Sequence, residues 1–153
     1  MKAATAEKLN TPQVRQFSVF LQNKVGALLE LVRLLDESNI VVLAISIADS
    51  SESAISRIIV SDPDRAAEIF RERDIAHSET DLLVVEMKQG PGDLSGVLAA
   101  LLMAEVNIHY SYPLLVRPRA RAVLAMHVDD IECASSVLIG EGFKVLNQGD
   151  LSR

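Results

Sequence analysis

The sequence has no tryptophan, two tyrosines, four phenylalanines and one cysteine among its 153 residues. So few aromatic rings leave little surface on which single-stranded bases could stack. Lys and Arg number 15 against 21 Asp and Glu, and the net charge of −6 opposes binding to phosphate backbones and anionic membranes. We therefore expect neither nucleic acid nor a membrane surface as a partner.

The single cysteine, Cys133, excludes an intramolecular disulfide and a clustered thiolate metal site. The three histidines, His77, His109 and His127, fall on separate predicted strands, so we expect no metal and no other cofactor. No apolar run approaches the roughly 18 residues of a membrane helix, and no signal peptide is visible. We expect a cytoplasmic protein whose polar residues 1–14 form a flexible N-terminal arm.

The most informative feature of the chain is an internal repeat. Four apolar or glycine positions recur 66 residues later, as Gly26 and Gly92, Leu28 and Leu94, Leu31 and Val97, and Leu35 and Leu101. Five more recur after 68 residues: Val60 and Val128, Asp62 and Asp130, Ala66 and Ala134, Ile69 and Val137, and Ile75 and Phe143. The second copy therefore has two extra residues, which we place in the exposed loop from Pro113 to Arg121.

Hydrophobic periodicity predicts the same order of elements in both copies: strand, helix, strand, strand, helix, strand. The first helix of each copy has apolar residues at helical spacing, namely Leu28, Leu31, Val32 and Leu35, then Leu94, Val97, Leu98 and Leu101. Asp62 and Pro63 predict the start of a further helix, and Gly142 the end of the last long one. We predict an α+β protein of two tandem ferredoxin-like βαββαβ repeats, residues 15–81 and 82–153, with antiparallel sheets and helices on one face.

The second predicted strand is apolar on both of its faces. Its odd positions are Val41, Leu43, Ile45 and Ile47, and its even positions include Val42 and Ala44. An antiparallel strand with two apolar faces needs a second covering layer. We therefore predict contact between repeats and a homo-oligomer, most simply a homodimer.

The loops after the first strand of each copy share a further pattern. They run from Asn23 to Leu28 (NKVGAL) and from Gln89 to Leu94 (QGPGDL), and the segments SNIV and EVNI follow at the start of each second strand. Together with the element order, these segments resemble ACT domains, which are amino-acid-binding regulatory modules. Their usual loop has Asp or Asn, any residue, Pro, Gly, any residue and Leu. The resemblance implies a site for a small amino acid between repeats.

The chemistry of these residues suits such a ligand. A helix N-terminus with a nearby Gly offers free N–H groups to a carboxylate, and an Asn oxygen accepts from an ammonium. The first copy has Asn23 and Lys24 in its loop, whereas only the second copy has Asn107 on its second strand. The resemblance therefore implies one composite pocket from these two halves. The predicted ligand-binding residues are Asn23, Lys24, Val25, Gly26, Ala27, Leu28, Asn107, His109, Gln89, Pro91 and Gly92.

Simpler structural roles compete for several of these residues. Gly26 and Gly92 are also explained as glycines of tight strand-to-helix turns. Asn39 is most simply a left-handed helix C-cap. Asn107 would serve equally well by bonding local backbone at a strand start.

Three other polar residues near the predicted site have competing roles too. Asp93 at the start of a helix is better explained by the helix dipole than by ligand binding, because it would repel a carboxylate. His109 and Ser111 share the predicted strand face of Asn107, and packing explains them as well as a pocket does.

No catalytic motif, phosphate loop or dinucleotide fingerprint is present in the sequence, so we expect no enzyme activity. The leading hypothesis is a regulatory module that binds an amino acid and changes its own packing or its docking on a partner. The alternative is a regulatory subunit acting mainly by protein contact with a biosynthetic enzyme, similar to the small subunits of acetolactate synthase.

Overall fold

Residues 11–22, 25–49 and 53–151 are described in the computed structural model of the protein. Contacts within the chain divide it into two units: Arg15–Thr80 is the first, and the second consists mainly of Asp81–Leu151.

The first unit has a strand, helix, strand, strand, helix order that ends in the start of a longer strand. Its elements are β1 (Val14–Gln22), α1 (Ala27–Glu37), β2 (Val42–Asp49), β3 (Ser53–Val60), α2 (Pro63–Glu72) and the first residues of β4 (His77–Met87). β3 pairs antiparallel with both β1 and β2. The N–H of Phe20 donates to the Ala76 carbonyl at 3.0 Å, just before β4 begins.

Aromatic residues organise the core of the first unit. The ring of Phe17 on β1 packs edge to face on Phe70 of α2, with centroids 5.3 Å apart, and His77 lies within 6 Å of both. Leu31 and Leu35 cover this cluster from α1. The predicted apolar stripe of α1 is correct except at Val32, since Leu34 packs against the core instead.

The second unit repeats this order and adds short helical turns. A 3-10 helix (Gly90–Asp93) precedes α3 (Leu94–Met103), and β5 (Ile108–Pro113), β6 (Ala122–Val128), α4 (Ile131–Gly140), β7 (Val145–Leu146) and α5 (Gln148–Leu151) follow. β4 pairs antiparallel with β6 and β7, and β6 pairs antiparallel with β5. The predicted α+β class of antiparallel sheets with ferredoxin-like element order is confirmed.

The predicted core face of α3 was wrong at two of its four positions. Val97 and Leu101 are buried as expected, but Leu94 and Leu98 are largely exposed, and Ala100 packs into the core instead. α3 is apolar on nearly every side, so the spacing of its leucines did not single out the buried side.

The repeat is visible in the backbone of the helix ends. Asn39 and Glu105, 66 residues apart, both have left-handed φ values, of 58° and 56°. Asp74 and Gly142, 68 residues apart, have φ values of 52° and 89°. The residue after each of these four donates its backbone N–H to a carbonyl of the preceding helix: Ile40 to Leu35, Val106 to Leu101, Ile75 to Phe70 and Phe143 to Leu138. The prediction of Asn39 as a left-handed C-cap is confirmed.

The starts of α2 and α4 match in the same way. The carboxylate of Asp62 accepts from the Arg65 N–H at 3.1 Å, and that of Asp130 from the Cys133 N–H at 3.0 Å. Both are N-cap contacts, as the sequence predicted for Asp62 and Pro63.

The glycines before α1 and α3 have different backbone roles. Gly26 has a φ of 91°, in the left-handed region, and α1 begins directly after it. Gly92 has no positive φ and lies inside the 3-10 helix, while Gly90 has the left-handed φ of 64°. Because a 3-10 helix precedes α3, the left-handed position of the second unit is Gly90 and not Gly92. Gly26 and Gly92 are therefore equivalent in sequence but differ in backbone conformation.

The strand β2 is less regular than its sequence predicts. Val41 precedes the strand and is exposed, as is Ile47, so the predicted row of odd positions is broken at both ends. A bulge between Val42 and Ala44 interrupts the pairing with β3, and Leu43 and Ala44 are both buried although they are neighbours. The homodimer expected from this strand stays a prediction.

The conformations of the two glycines generate a matched stability test. Gly26→Ala forces an L residue into a left-handed conformation and should lower the free energy of unfolding by about 1–2 kcal/mol. Gly92→Ala should change it by less than about 1 kcal/mol, because its φ is ordinary and the nearest atom to a new Cβ is 4.0 Å away. Urea unfolding of both variants measures this; equal losses would contradict the assignment.

The N-cap of α2 gives a second stability prediction. Asp62→Ala removes the acceptor of the Arg65 N–H and should cost about 1 kcal/mol in unfolding free energy. Glu72→Ala, at the other end of the same helix, is the control and should be nearly neutral. Loss of stability in the control alone would overturn the capping role.

Candidate functional site

The predicted loop of the first unit lies at the start of α1. Asn23 and Lys24 lie outside the described residues. Val25 is fully exposed, Gly26 is left-handed, and the Glu30 N–H donates to the Gly26 carbonyl at 2.9 Å. Among the described residues no side chain caps α1, so none of them supplies a side-chain acceptor for the first N–H groups of this helix.

An open groove of about 730 Å³ lies beside this loop, entirely within the first unit. It is bounded by the end of β1, by α1 from its first residue, and by the turn between α2 and β4. Ala27 and Leu31 belong to its lining, as do Leu21, Leu34 and Ile75. The remaining lining residues are Phe20, Gln22, Glu30, Arg33, Glu37, Arg73, Asp74 and Ala76.

Charged side chains of both signs line this groove. α1 contributes Glu30, Arg33 and Glu37, and the turn after α2 contributes Arg73 and Asp74. All five are exposed, and none forms an ion pair or hydrogen bond through its side chain with another residue in the described ranges. Two guanidinium groups and three carboxylates therefore lie beside an apolar surface without a side-chain partner among the described residues.

Sequence reasoning missed these five residues. Their signal is present, since Glu30, Arg33 and Glu37 recur at spacings of three and four, which places them along one side of α1. What the sequence did not show is that the turn at Arg73 and Asp74 lies next to that side. The left-handed φ of Asp74 sets the course of this turn.

The same place in the second unit is filled. By the offsets of the repeat, Gly96 corresponds to Glu30, and Phe143 corresponds to Ile75. A Cβ added to Gly96 would lie 3.1 Å from Cζ of Phe143, so the phenyl ring lies directly on the helix backbone. The second unit thus has an aromatic ring, Phe143, where the first unit has the aliphatic Ile75, and a glycine lies opposite that ring. The ring fills the space that corresponds to the groove of the first unit.

The carboxylate of Asp93 holds the predicted loop of the second unit through a hydrogen bond within the loop. The Gln89 N–H donates to Oδ2 of Asp93 at 2.9 Å, and Pro91 and Gly92 lie exposed in the 3-10 helix between them. Asp93 therefore uses a backbone N–H that an anionic ligand would need.

Asn107 binds a neighbouring strand end. Its side-chain amide donates to Oδ2 of Asp129 at 3.0 Å, and its backbone N–H donates to Oδ1 at 3.2 Å. The first unit has the equivalent contact between Val41 and Ser61, where the Val41 N–H donates to the Ser61 hydroxyl at 2.9 Å. Asn107 therefore has a structural partner, but it is the Asp129 carboxylate and not the local backbone that the sequence predicted.

His109 and Ser111 do not share one strand face, as the sequence had predicted. A bulge between Ile108 and Tyr110 changes the register, so that Ser111 pairs with Met126, a residue of the core beneath the helices. The ring of His109 lies 4.9 Å from that of His127, and Tyr110 lies 5.0 Å from the same ring. His109 belongs to this ring cluster, and no hydrogen bond or ring contact joins it to Asn107 or to the Gln89 loop within the described ranges.

Metal-binding clusters and membrane-spanning helices are both absent from the described residues. Nowhere in these ranges do three His, Cys, Asp or Glu side chains come together in a way that could hold a metal ion. None of the helices there has the length and hydropathy needed to span a bilayer.

Comparison with proteins of known structure places this fold. Protein BT0572 from Bacteroides thetaiotaomicron is 30% identical, with 92% of this chain and 96% of that chain covered and a TM-score of 0.83. The regulatory subunit of aspartate kinase from Thermus thermophilus, in a ligand-free form, is 13% identical, with 88% and 95% covered and a TM-score of 0.58. At that lower identity the likeness shows the fold alone.

Sequence comparison shows the family. No curated protein matches the chain. The profile of the family described as ACT domain pair matches residues 12–153, which is nearly the whole chain. The resemblance to ACT domains, predicted from the paired loops and the repeated element order, is confirmed, and the chain belongs to the ACT domain pair family.

Proposed function

We propose that this protein is a non-catalytic regulatory module that binds a small α-amino acid in the groove of the first unit. The observation that carries the proposal is the set of uncommitted charges of both signs beside an apolar surface. An α-amino acid is a zwitterion, so its ammonium and carboxylate complement such a set. Its side chain would occupy the apolar part of the lining, which favours an aliphatic or small residue.

The charges define how the ligand would lie. Arg33 and Arg73 are the donors for the carboxylate, since guanidinium groups bind carboxylates with two parallel hydrogen bonds. Glu30, Glu37 and Asp74 are the acceptors for the ammonium. Hydrogen bonds to charged groups contribute about 1.5–3 kcal/mol each, more than those between neutral groups.

The residues of the adjoining loop extend this site. We propose that Asn23, Lys24 and Gly26 add backbone and side-chain contacts at the start of α1, with Val25, Ala27 and Leu28 as apolar neighbours. Asn107 remains the candidate for completing the composite pocket predicted from the sequence. Gln89, Pro91, Gly92 and His109 are weaker candidates, because Asp93 competes for the Gln89 N–H and His109 belongs to a ring cluster.

Regulation requires that the ligand bind two states of the protein with different affinity. The similar protein from Thermus thermophilus is named as the regulatory subunit of aspartate kinase. By this likeness we propose that the present chain acts in the cytoplasm on a metabolic enzyme. The alternative, a subunit that works mainly by protein contact, differs in having no amino-acid effector.

The proposal predicts that an amino acid stabilises the protein against heat. A ligand that binds only the folded state at about 100 times its Kd adds roughly 2.7 kcal/mol of stability. A thermal-shift screen of the twenty amino acids at millimolar concentration should give one or a few responders. If all twenty are silent, the amino-acid site is refuted and the protein-contact alternative is favoured.

The groove predicts which variants lose that response. Arg33→Gln and Arg73→Gln each remove a charged donor and should weaken binding of the responder about tenfold or more by calorimetry. Arg71→Gln is the matched control, because Arg71 is also an exposed arginine of this region but does not line the groove. It should bind as the wild type does.

Two further variants separate the groove from the composite pocket. If Asn107→Ala abolishes binding while Arg33→Gln and Arg73→Gln do not, the groove assignment is wrong and the composite pocket gains support. Loss in Asn23→Ala together with the arginine variants is the result expected for a groove extended by its loop.

A further inference from the structure

We propose that the loop between β5 and β6 of the second unit, together with two lysines beside it, docks onto an acidic surface of a partner protein. The loop spans residues 114–121, which we call the arginine loop, whereas the first unit joins β2 to β3 by residues 50–52 alone. The arginine loop contains Arg117, Arg119 and Arg121, and the shorter connection, SSE, contains no cation. The longer loop therefore concentrates positive charge in a chain whose net charge is −6.

The pairing of the strands places two lysines beside the arginine loop. The last residue of β4 pairs with the first residue of β6, so Lys88 and Arg121 lie on neighbouring strands at the same end of the sheet. On the other side of β4, the Glu86 N–H donates to the Lys144 carbonyl at 2.9 Å. Neighbouring strands are about 4.8 Å apart. These cations therefore form one basic rim, which consists of Lys88, Arg117, Arg119, Arg121 and Lys144.

The charges of the second unit are separated along the strands. The basic rim contains every Lys and Arg among residues 81–151. Four acids lie at the opposite end of the sheet, after α3 and after β6: Glu105, Asp129, Asp130 and Glu132. At the basic end, Glu86 is 5% exposed and pairs with Arg121 at 3.4 Å. Asp93 accepts from the Gln89 N–H, which leaves Glu141 as the one exposed acid there with no such contact among the described residues. The basic rim therefore keeps a net positive charge.

A tight turn holds the arginine loop in one shape. The Arg121 N–H donates to the Pro118 carbonyl at 3.2 Å across Arg119 and Ala120, whose φ values are 57° and 62°. Two positive φ values in succession make this a type I′ turn, which favours Gly, Asn and Asp at both positions. Nowhere else in the described ranges do two consecutive residues have left-handed φ values. Arg119 therefore occupies its position against the preference of the turn, and strained residues of this kind cluster at functional sites.

Exposure and composition favour a protein as the partner. Arg117 and Arg119 are exposed, and neither forms an ion pair or hydrogen bond through its side chain with another residue in the described ranges. Leu115 of the same loop is 68% exposed. A small anion gains little from exposed guanidinium groups, because water and salt screen each contact. A protein surface excludes that water, buries Leu115 and offers carboxylates, which guanidinium groups bind through two hydrogen bonds.

The test is a titration of the full chain against a labelled peptide of about ten residues, rich in Glu and with one central Leu, followed by fluorescence anisotropy. The wild type should bind this peptide, with an affinity that falls as the salt concentration rises. Arg117→Gln and Arg119→Asn should each weaken binding about tenfold or more. Because Asn suits a type I′ turn better than Arg does, the Tm of Arg119→Asn should equal or exceed that of the wild type.

Matched variants control for net charge and for the apolar contact. Arg71→Asn removes an exposed arginine from the last turn of α2 in the first unit, with the same change of net charge as Arg119→Asn. It should bind the peptide as the wild type does. Leu115→Ser should weaken binding of this peptide, but not of a peptide in which Glu replaces the central Leu. In NMR spectra the peptide should shift the amides of residues 114–121 and of Lys88.

Three results would overturn the proposal. The first is a wild type that does not bind the Glu-rich peptide at millimolar concentration and low salt. The second is wild-type binding by both Arg117→Gln and Arg119→Asn, or an equal loss in Arg71→Asn. The third is tighter binding of a labelled oligouridylate or of inorganic pyrophosphate than of the peptide, which would assign the basic rim to a phosphate ligand. The amino-acid screen uses other probes and concerns the first unit, so either proposal can fail while the other stands.

Discussion

Burial of one sheet face beneath two helices is the interaction on which each unit depends. In the first unit Phe17, Phe70 and His77 meet between sheet and helices, whereas the buried residues of the equivalent layer in the second unit include no aromatic ring and Phe143 packs against them from the side. The C-terminal ends of the helices match in both units through paired left-handed residues, and the N-caps of α2 and α4 match as well, whereas the starts of α1 and α3 differ. Because these shared contacts fix the backbone of each unit, the outer surfaces of the two units can differ, and they do.

The differences separate two roles. The first unit keeps charged helices and an open groove bounded by Arg33, Arg73 and their acidic neighbours. In the second unit Gly96 and Phe143 close the corresponding place, and Asp93 holds the loop before α3. Its helices α3 and α4 carry one charged residue, whereas α1 and α2 carry nine. The groove in which we propose an amino-acid site therefore belongs to the first unit, and the family fold carries different surfaces on its two repeats.

The sequence predicted the fold far better than the site. Repeat offsets and caps such as Asp62 depend on neighbours along the chain, and the structure confirms them. Two kinds of error arose where local pattern carries too little information. An apolar helix has no single buried side to read, so Leu94 and Leu98 were misplaced, and a bulge shifts register without a sequence signal, so Ser111 was assigned to the wrong face. The groove was missed because it joins α1 to a turn some 40 residues away in sequence.

The central claim is that the groove of the first unit, rather than the equivalent place in the second, holds the amino acid. Titration of isotope-labelled protein with an amino acid that stabilises it, followed by amide chemical shifts in NMR spectra, tests this claim most directly. The largest shifts should belong to amides of α1 and of residues 73–76, with those around Gly96 and Phe143 unchanged. Shifts confined to the second unit would contradict it.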